Sequence, residues 1–259
     1  MLHDIGTLGL YQWVAAILGG FFVGIAKAGI AGVNGLFVGL FALVMPSVKQ
    51  SSGVVLPLVI FGDWIAVAAY RRHLQWRHLI RLFPWAAAGV VLGYFALGHW
   101  TDHTIKTLVG TIILTLAILS YWRRFRTGAA AAAAGEEMQP IRIHWFAGAC
   151  LGLVAGFATL VANAAGPLMA IYLVAMRLPK MEYVGTTAIF FAMINLFKLP
   201  FMINLGLVSL PSVAFDVCLF PAVAIGLFAG RWILQRIRQR VFEEMALALS
   251  ALSGVALLV

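Results

Sequence analysis

Ten solid apolar runs follow one another along this chain, at roughly 10–28, 35–45, 50–70, 79–98, 104–122, 144–160, 165–177, 182–203, 211–231 and 241–258. Most approach the ~20 residues at which a helix crosses the ~30 Å hydrocarbon core of a bilayer. The runs do not alternate polar and apolar residues, as the roughly ten-residue strands of a membrane barrel do. Backbone groups in hydrocarbon must bond within their own segment, so spans of this kind are helices. Charged residues make up 10% of the 259, against about 25% in a soluble domain. That leaves too little polar surface to wet a globule of this size. The expected fold class is an all-α polytopic membrane protein.

One eleven-residue phrase occurs twice. FPWAAAGVVLG runs from Phe83 to Gly93 and FPAVAIGLFAG from Phe220 to Gly230, with Phe, Pro, one Ala and both Gly coinciding 137 positions apart. Gly20 and Gly24 match Gly152 and Gly156 at offset 132, Gly35 matches Gly166 at 131, and Pro46 matches Pro179 at 133. Each identity is weak alone, but their shared order indicates two similar halves of five segments. Between them lies RRFRTGAAAAAAGEEMQPIR, Arg123–Arg142, charged, Ala-rich and low in complexity. The expected organisation is a first membrane repeat at 1–122, a linker at 123–143 and a second membrane repeat at 144–259.

The net charge of +9 is better explained by orientation signals than by nucleic acid. Arg71, Arg72, Arg77 and Arg81 form one cluster, and Arg123, Arg124, Arg126 and Arg142 a second. Arg177 and Lys180 form a third, and Arg231, Arg236, Arg238 and Arg240 a fourth. Alternating crossings place all four on one face, the cytoplasmic one by the positive-inside rule. The loops near 46–50, 99–103 and 204–210 carry only Lys49 as a strong base. Both termini then fall on the periplasmic or extracellular side. The basic loop 71–81 corresponds in the other half to the uncharged loop 204–210, so equivalent loops lie on opposite faces. This is the pattern of inverted repeats, a recurring design of secondary transporters. The run 10–28 lacks a preceding basic region and a cleavage site, and reads as a retained helix. Cys150 and Cys218 have no paired spacing, and imply neither disulfide nor metal site.

The second and seventh runs are short, and each follows a break: GIAGVNG, Gly29–Gly35, and ATLVANAAG, Ala158–Gly166. Eleven residues rise only about 16 Å, so these segments are either re-entrant or tilted. Short, Gly-interrupted segments at matched positions point to a binding site. A broken helix presents N–H donors and a partial positive charge at its new N-terminus, which suits an anion. Gly29, Gly32, Gly35 and Gly166 let backbone approach a ligand there, although such glycines also serve close helix packing. Asn34 and Asn163 add side-chain donors. Four charges fall inside runs: Lys27, Asp63, Lys198 and Asp216. Lys27 and Lys198 are candidates for holding an anion, or for snorkelling to an interface. Asp63 aligns with Asn195 at offset 132 and is either a proton carrier or a structural partner of a nearby Lys. Asp216, near a segment end, reads as interfacial. Ser52 and Thr187 open the third and eighth segments and are candidates to line a polar path. The expected substrate-binding set is Lys27, Gly29, Gly32, Asn34, Gly35, Ser52, Asn163, Gly166, Thr187, Asn195 and Lys198, with Asp63 the proton-coupling candidate.

GGFFVGIAKAGIAGVNG, LGLVAGFATLVANAAGPLMAIYL, the YVGTT step and NLFKLPFMINLGLVS resemble the TauE/SafE sulfite exporter family over nearly the whole chain. The resemblance implies a bacterial inner-membrane carrier for a small anion, often sulfite, an organosulfonate or a related sulfur compound. It also implies about seven to nine spans, which favours counting some short segments as re-entrant. The first half departs from the family's Gly-Gly-Gly…Pro pattern, reading GVNGLFVGLFAL, whereas Pro167 supplies the Pro in the second half.

No metalloprotease, hydrolase-elbow, P-loop or Cys/His metal spacing is present, so no enzyme and no cofactor is expected. The expected partners are a small anionic substrate and the lipid bilayer, with a homodimer compatible and nucleic acid not. The expected function is secondary transport by alternating access with proton coupling at Asp63. An anion channel of the same architecture and a non-transport intramembrane protein are the alternatives.

Overall fold

A computed structural model describes residues 9–30, 33–45, 48–134 and 145–258. Among these residues there are ten α-helices and no strand. They are α1 (Leu10–Lys27), α2 (Asn34–Ala42), α3 (Val48–Tyr70), α4 (Trp76–His99), α5 (Asp102–Ala134), α6 (Trp145–Ala162), α7 (Ala165–Ala175), α8 (Lys180–Asn204), α9 (Leu210–Arg236) and α10 (Gln239–Leu258). Each apolar run of the sequence has become one helix. α5 continues past residue 122 to Ala134 because Ala is the best helix former. α9 begins where Ser209 and Ser212 cap each other reciprocally, with Pro211 in the first turn, where its missing N–H is not needed.

Among the described residues, six helices are long and apolar enough to cross a membrane by length and composition: α1, α3 with the 3-10 turn that follows it, α4, α6, α8 and α9. α7 has 11 residues and α2 has 9. They rise about 17 and 14 Å, short of the ~30 Å core. Large apolar side chains face outward, as on α9, where Val217, Ile225, Phe228 and Trp232 are exposed. In a bilayer that face meets lipid tails and costs nothing to leave bare. The protein is an all-α polytopic membrane protein.

The packing pairs helices in a reciprocal way. α1 lies along α9, with Gly20 against Leu219, Gly24 against Val223 and Leu227, and Gly230 against Ala28. Positions rise together, so the two helices are parallel. α4 lies along α6 in the same manner, with Gly152 against Leu82, Gly156 against Ala86, and Gly93 against Leu160. A Cβ at Gly24, Gly89, Gly156 or Gly226 would run into backbone of the facing helix. These glycines therefore set the close approach that van der Waals packing needs when water supplies no driving force.

The remaining directions follow from contacts to α3 and α8. α3 is parallel to α9, since Phe61 stacks on Phe220 at 3.9 Å and Arg231 sits over the Tyr70 ring. α4 is parallel to α8, since Phe83 meets Phe197, and Tyr94 accepts from Asn204. α3 and α8 are antiparallel: Gly53 meets Leu207, Asp63 meets Asn195, and Gly185 meets His73. So α1, α3 and α9 run one way, and α4, α6 and α8 the other. Gly19 packs on Phe41, which folds α2 back along α1. The breaks after α1 and α6 thus meet the α3–α8 pair in the interior.

Candidate functional site

Two short helices leave two breaks, and both open on one cavity. Its volume is about 40 Å³. Lys27 and Gly29 come to it from the first break, and Thr159, Asn163 and Gly166 from the second. Tyr183, Thr187, Phe191 and Asn195 line it from α8, Val59 from α3 and Phe37 from α2.

Left-handed backbone makes the breaks. Gly29 has φ +103 and Asn163 φ +51. Gly pays no Cβ penalty there, and Asn is among the few other residues that tolerate it. The N–H groups of Asn163 and Ala164 turn back to Thr159 O and Ala158 O, which closes the end of α6. α7 then starts at Ala165, and its first-turn N–H groups have no intrahelical acceptor. Gly166 belongs to that turn and lies on the cavity wall.

Lys27 Nζ donates to Asp63 Oδ1 at 2.6 Å and sits 4.8 Å from the centre of the Phe191 ring. Asn195 Nδ2 donates to Asp63 Oδ2, also at 2.6 Å. Asp63 is 1% exposed and both of its oxygens are used. Lys27 keeps N–H capacity for a ligand on the cavity side, because an ammonium has three donors.

Lys198 is placed differently. It is wholly buried, and its ammonium donates to Thr159 O at 2.9 Å, Thr159 Oγ1 at 3.2 Å and Asn163 Oδ1 at 2.5 Å. Its three N–H groups are all engaged, so none is left for an anion. Neither lysine snorkels to an interface: Lys27 is 10% exposed at its side chain, and Lys198 not at all.

Ser52 is buried away from the cavity lining and donates to Leu160 O at 3.2 Å. Its carbonyl accepts from Asn163 Nδ2 at 3.1 Å. Ser52 therefore ties α3 to the end of α6. Thr187 does line the cavity, but its hydroxyl bonds back to Tyr183 O and Val184 O of its own helix. It offers a ligand an acceptor. Gly32 lies outside the described residues. Asn34 and Gly35 form the first turn of α2, and only their backbone is described.

Asp216 is packed inside the helix bundle. It is fully buried within the protein, two turns into α9. Thr159, Tyr183 and Phe191 were missed as site residues. Thr159 had a usable signal: it precedes Asn163 by one helical turn, and so shares its face. Among the described residues no group of His, Cys, Asp and Glu side chains is placed to hold a metal ion.

A family model described as sulfite exporter TauE/SafE matches residues 16–257. No curated protein and no solved structure matches the chain.

Proposed function

Because this chain belongs to the sulfite exporter TauE/SafE family, a family of multi-pass membrane transporters and not of enzymes, we propose that it is a secondary transporter for a small anion. Sulfite, an organosulfonate or a related sulfur-containing anion is the substrate class, and the bacterial inner membrane the location. The observation that carries this reading is the cavity itself, to which both broken ends contribute: Lys27 from α1 and the first turn of α7 at Gly166. One ammonium and a helix N-terminus converge there, the combination that favours negative charge.

In this reading Lys27 is the anion's direct contact, and α7 supplies backbone donors. Asn195 and Asp63 hold Lys27 in place, while Lys198 shapes the site from behind through Asn163. The two halves are inverted repeats. That assignment is supported by the opposite senses of α1 and α6 and by the exchange of the α1–α9 pair for the α6–α4 pair. Rocking one half against the other carries the cavity from face to face. The Arg-rich loops are cytoplasmic and both termini external. Asp63 is the proton-coupling candidate because it links both halves through Lys27 and Asn195.

The test is binding to the purified protein, read as thermal stabilisation by sulfite, sulfonates, sulfate and carboxylates. A saturable shift with a sulfur oxyanion supports the substrate class, and no shift with any anion refutes the site. Counterflow in proteoliposomes then tests the mechanism: anion on the far side accelerates uptake by a carrier and does not accelerate an open channel.

A further inference from the structure

At the end of α6 the protein surrounds a positive charge with oxygen atoms and no carboxylate. Thr159 gives its backbone carbonyl and its hydroxyl, and Asn163 its amide oxygen. The negative pole of α6 ends at the same point. Left-handed backbone at Asn163 frees this end from continuing as helix. Ser52 O holds the Asn163 amide from α3, so the oxygen set is braced from two helices before α8 adds anything. Unwound carbonyls and half-helix C-terminal ends are what secondary transporters use to coordinate a coupling cation. Here that position holds the Lys198 ammonium, wholly buried.

We propose that Thr159 and Asn163 form a monovalent-cation site whose resident occupant is the tethered ammonium of Lys198. The transporter thus needs no free metal cation at this position, and removing the lysine side chain opens the site to Na⁺.

The other break shows that this is not a general demand of the fold. Lys27 occupies the place in α1 that Thr159 occupies in α6, at the same offset that relates Asp63 to Asn195. There the cation sits on the broken helix and is answered by the Asp63 carboxylate on α3. At the second break the arrangement is reversed: the broken helix supplies neutral oxygens and the long helix α8 supplies the charge. A neutral oxygen cage suits any small monovalent cation, whereas a carboxylate pair commits to its lysine. Lys27 and Asp63 are the charged groups nearest Lys198 across the cavity, and they are paired with each other. The inference does not depend on which anion the cavity carries.

The experiment is thermal melting of the purified protein in NaCl, KCl and choline chloride at equal ionic strength, with no transported anion added. The wild type melts at the same temperature in all three. Lys198→Ala melts higher in NaCl than in choline chloride, and the shift saturates with Na⁺. Lys198→Met, whose chain fills the space without charge, shows no such preference. Lys198→Ser serves as a second opened variant. Cation-blind melting of both opened variants overturns the proposal, and so does an equal Na⁺ response in Lys198→Met. If both opened variants fail to fold in every salt, the proposal also fails, because a free cation should replace the ammonium.

Discussion

Asn195 donates a 2.6 Å hydrogen bond to Asp63 across 132 positions of sequence. The same offset relates Gly20 and Gly24 to Gly152 and Gly156. Two residues in equivalent places of related halves touch only if they lie on the axis that exchanges those halves. The pair therefore marks the centre of the proposed inverted repeat. It is also where symmetry breaks, because one position is an acid and the other its amide. The carboxylate holds Lys27, and Asn195 donates to the carboxylate.

Asp63→Asn removes the charge that faces Lys27 while keeping the shape. If Asp63 carries the coupled proton, the variant loses the dependence of transport on a pH gradient. Flux in proteoliposomes with and without the gradient measures this, and full retention of the dependence overturns the coupling assignment. Breaking a buried pair from one side costs about 3–5 kcal/mol. The variant should therefore melt lower, and Lys27→Met combined with Asp63→Leu should recover part of the loss.

Lys27→Ala takes the charged donor from the cavity wall. A hydrogen bond to a charged group is worth about 1.5–3 kcal/mol, so anion affinity should fall roughly 10–100-fold. Titration calorimetry or a saturable thermal shift reads it. Unchanged affinity would mean that the anion does not meet Lys27.

Gly89 and Gly98 lie on the same helix and give a matched pair. A Cβ at Gly89 runs into the Leu153 carbonyl, whereas nothing lies within 4 Å of one at Gly98. Gly89→Ala should destabilise by about 1–3 kcal/mol through overpacking. Gly98→Ala should be neutral or stabilising by up to about 1 kcal/mol. Melting temperatures of the two variants check the contrast.

Reporter fusions in the 71–81 loop and the 204–210 loop test the orientation. The first should report a cytoplasmic position and the second an external one. Both on one face would refute the inversion.

Asn163→Gly and Asn163→Ala separate backbone from side chain. Gly keeps the φ of +51 without strain, and both variants lose the bonds to Lys198 and Ser52. Ala should melt lower than Gly by roughly 1 kcal/mol, the cost of a left-handed residue with a Cβ. Equal melting would mean that the side-chain bonds alone hold the break.

The number of helices was legible in the sequence, because span length and apolarity are local properties set by the bilayer; the end of α5 was not, since that helix runs on past its apolar run to Ala134. The repeated FPxxxxG phrase was legible as a duplication, and the structure shows what its glycines do. Gly89, Gly93, Gly226 and Gly230 are packing surfaces, and the broken segments hold the cavity. Candidate residues were legible too, since Lys27, Asp63, Asn163, Asn195 and Lys198 stand out in apolar surroundings where a polar group needs a reason.

What each candidate touches was decided only by tertiary structure. Lys27 and Lys198 look alike in sequence, yet one faces the cavity and the other has all three N–H groups engaged inside the protein. Ser52 looks like a lining residue and is a tie between α3 and α6. The physical reason is common to these cases. Hydropathy along one chain fixes whether a residue lies within a span, but a charge in hydrocarbon is tolerated only through its partners. Those partners come from helices more than 30 positions away, so only the packing of α1, α3, α6 and α8 against one another chooses them.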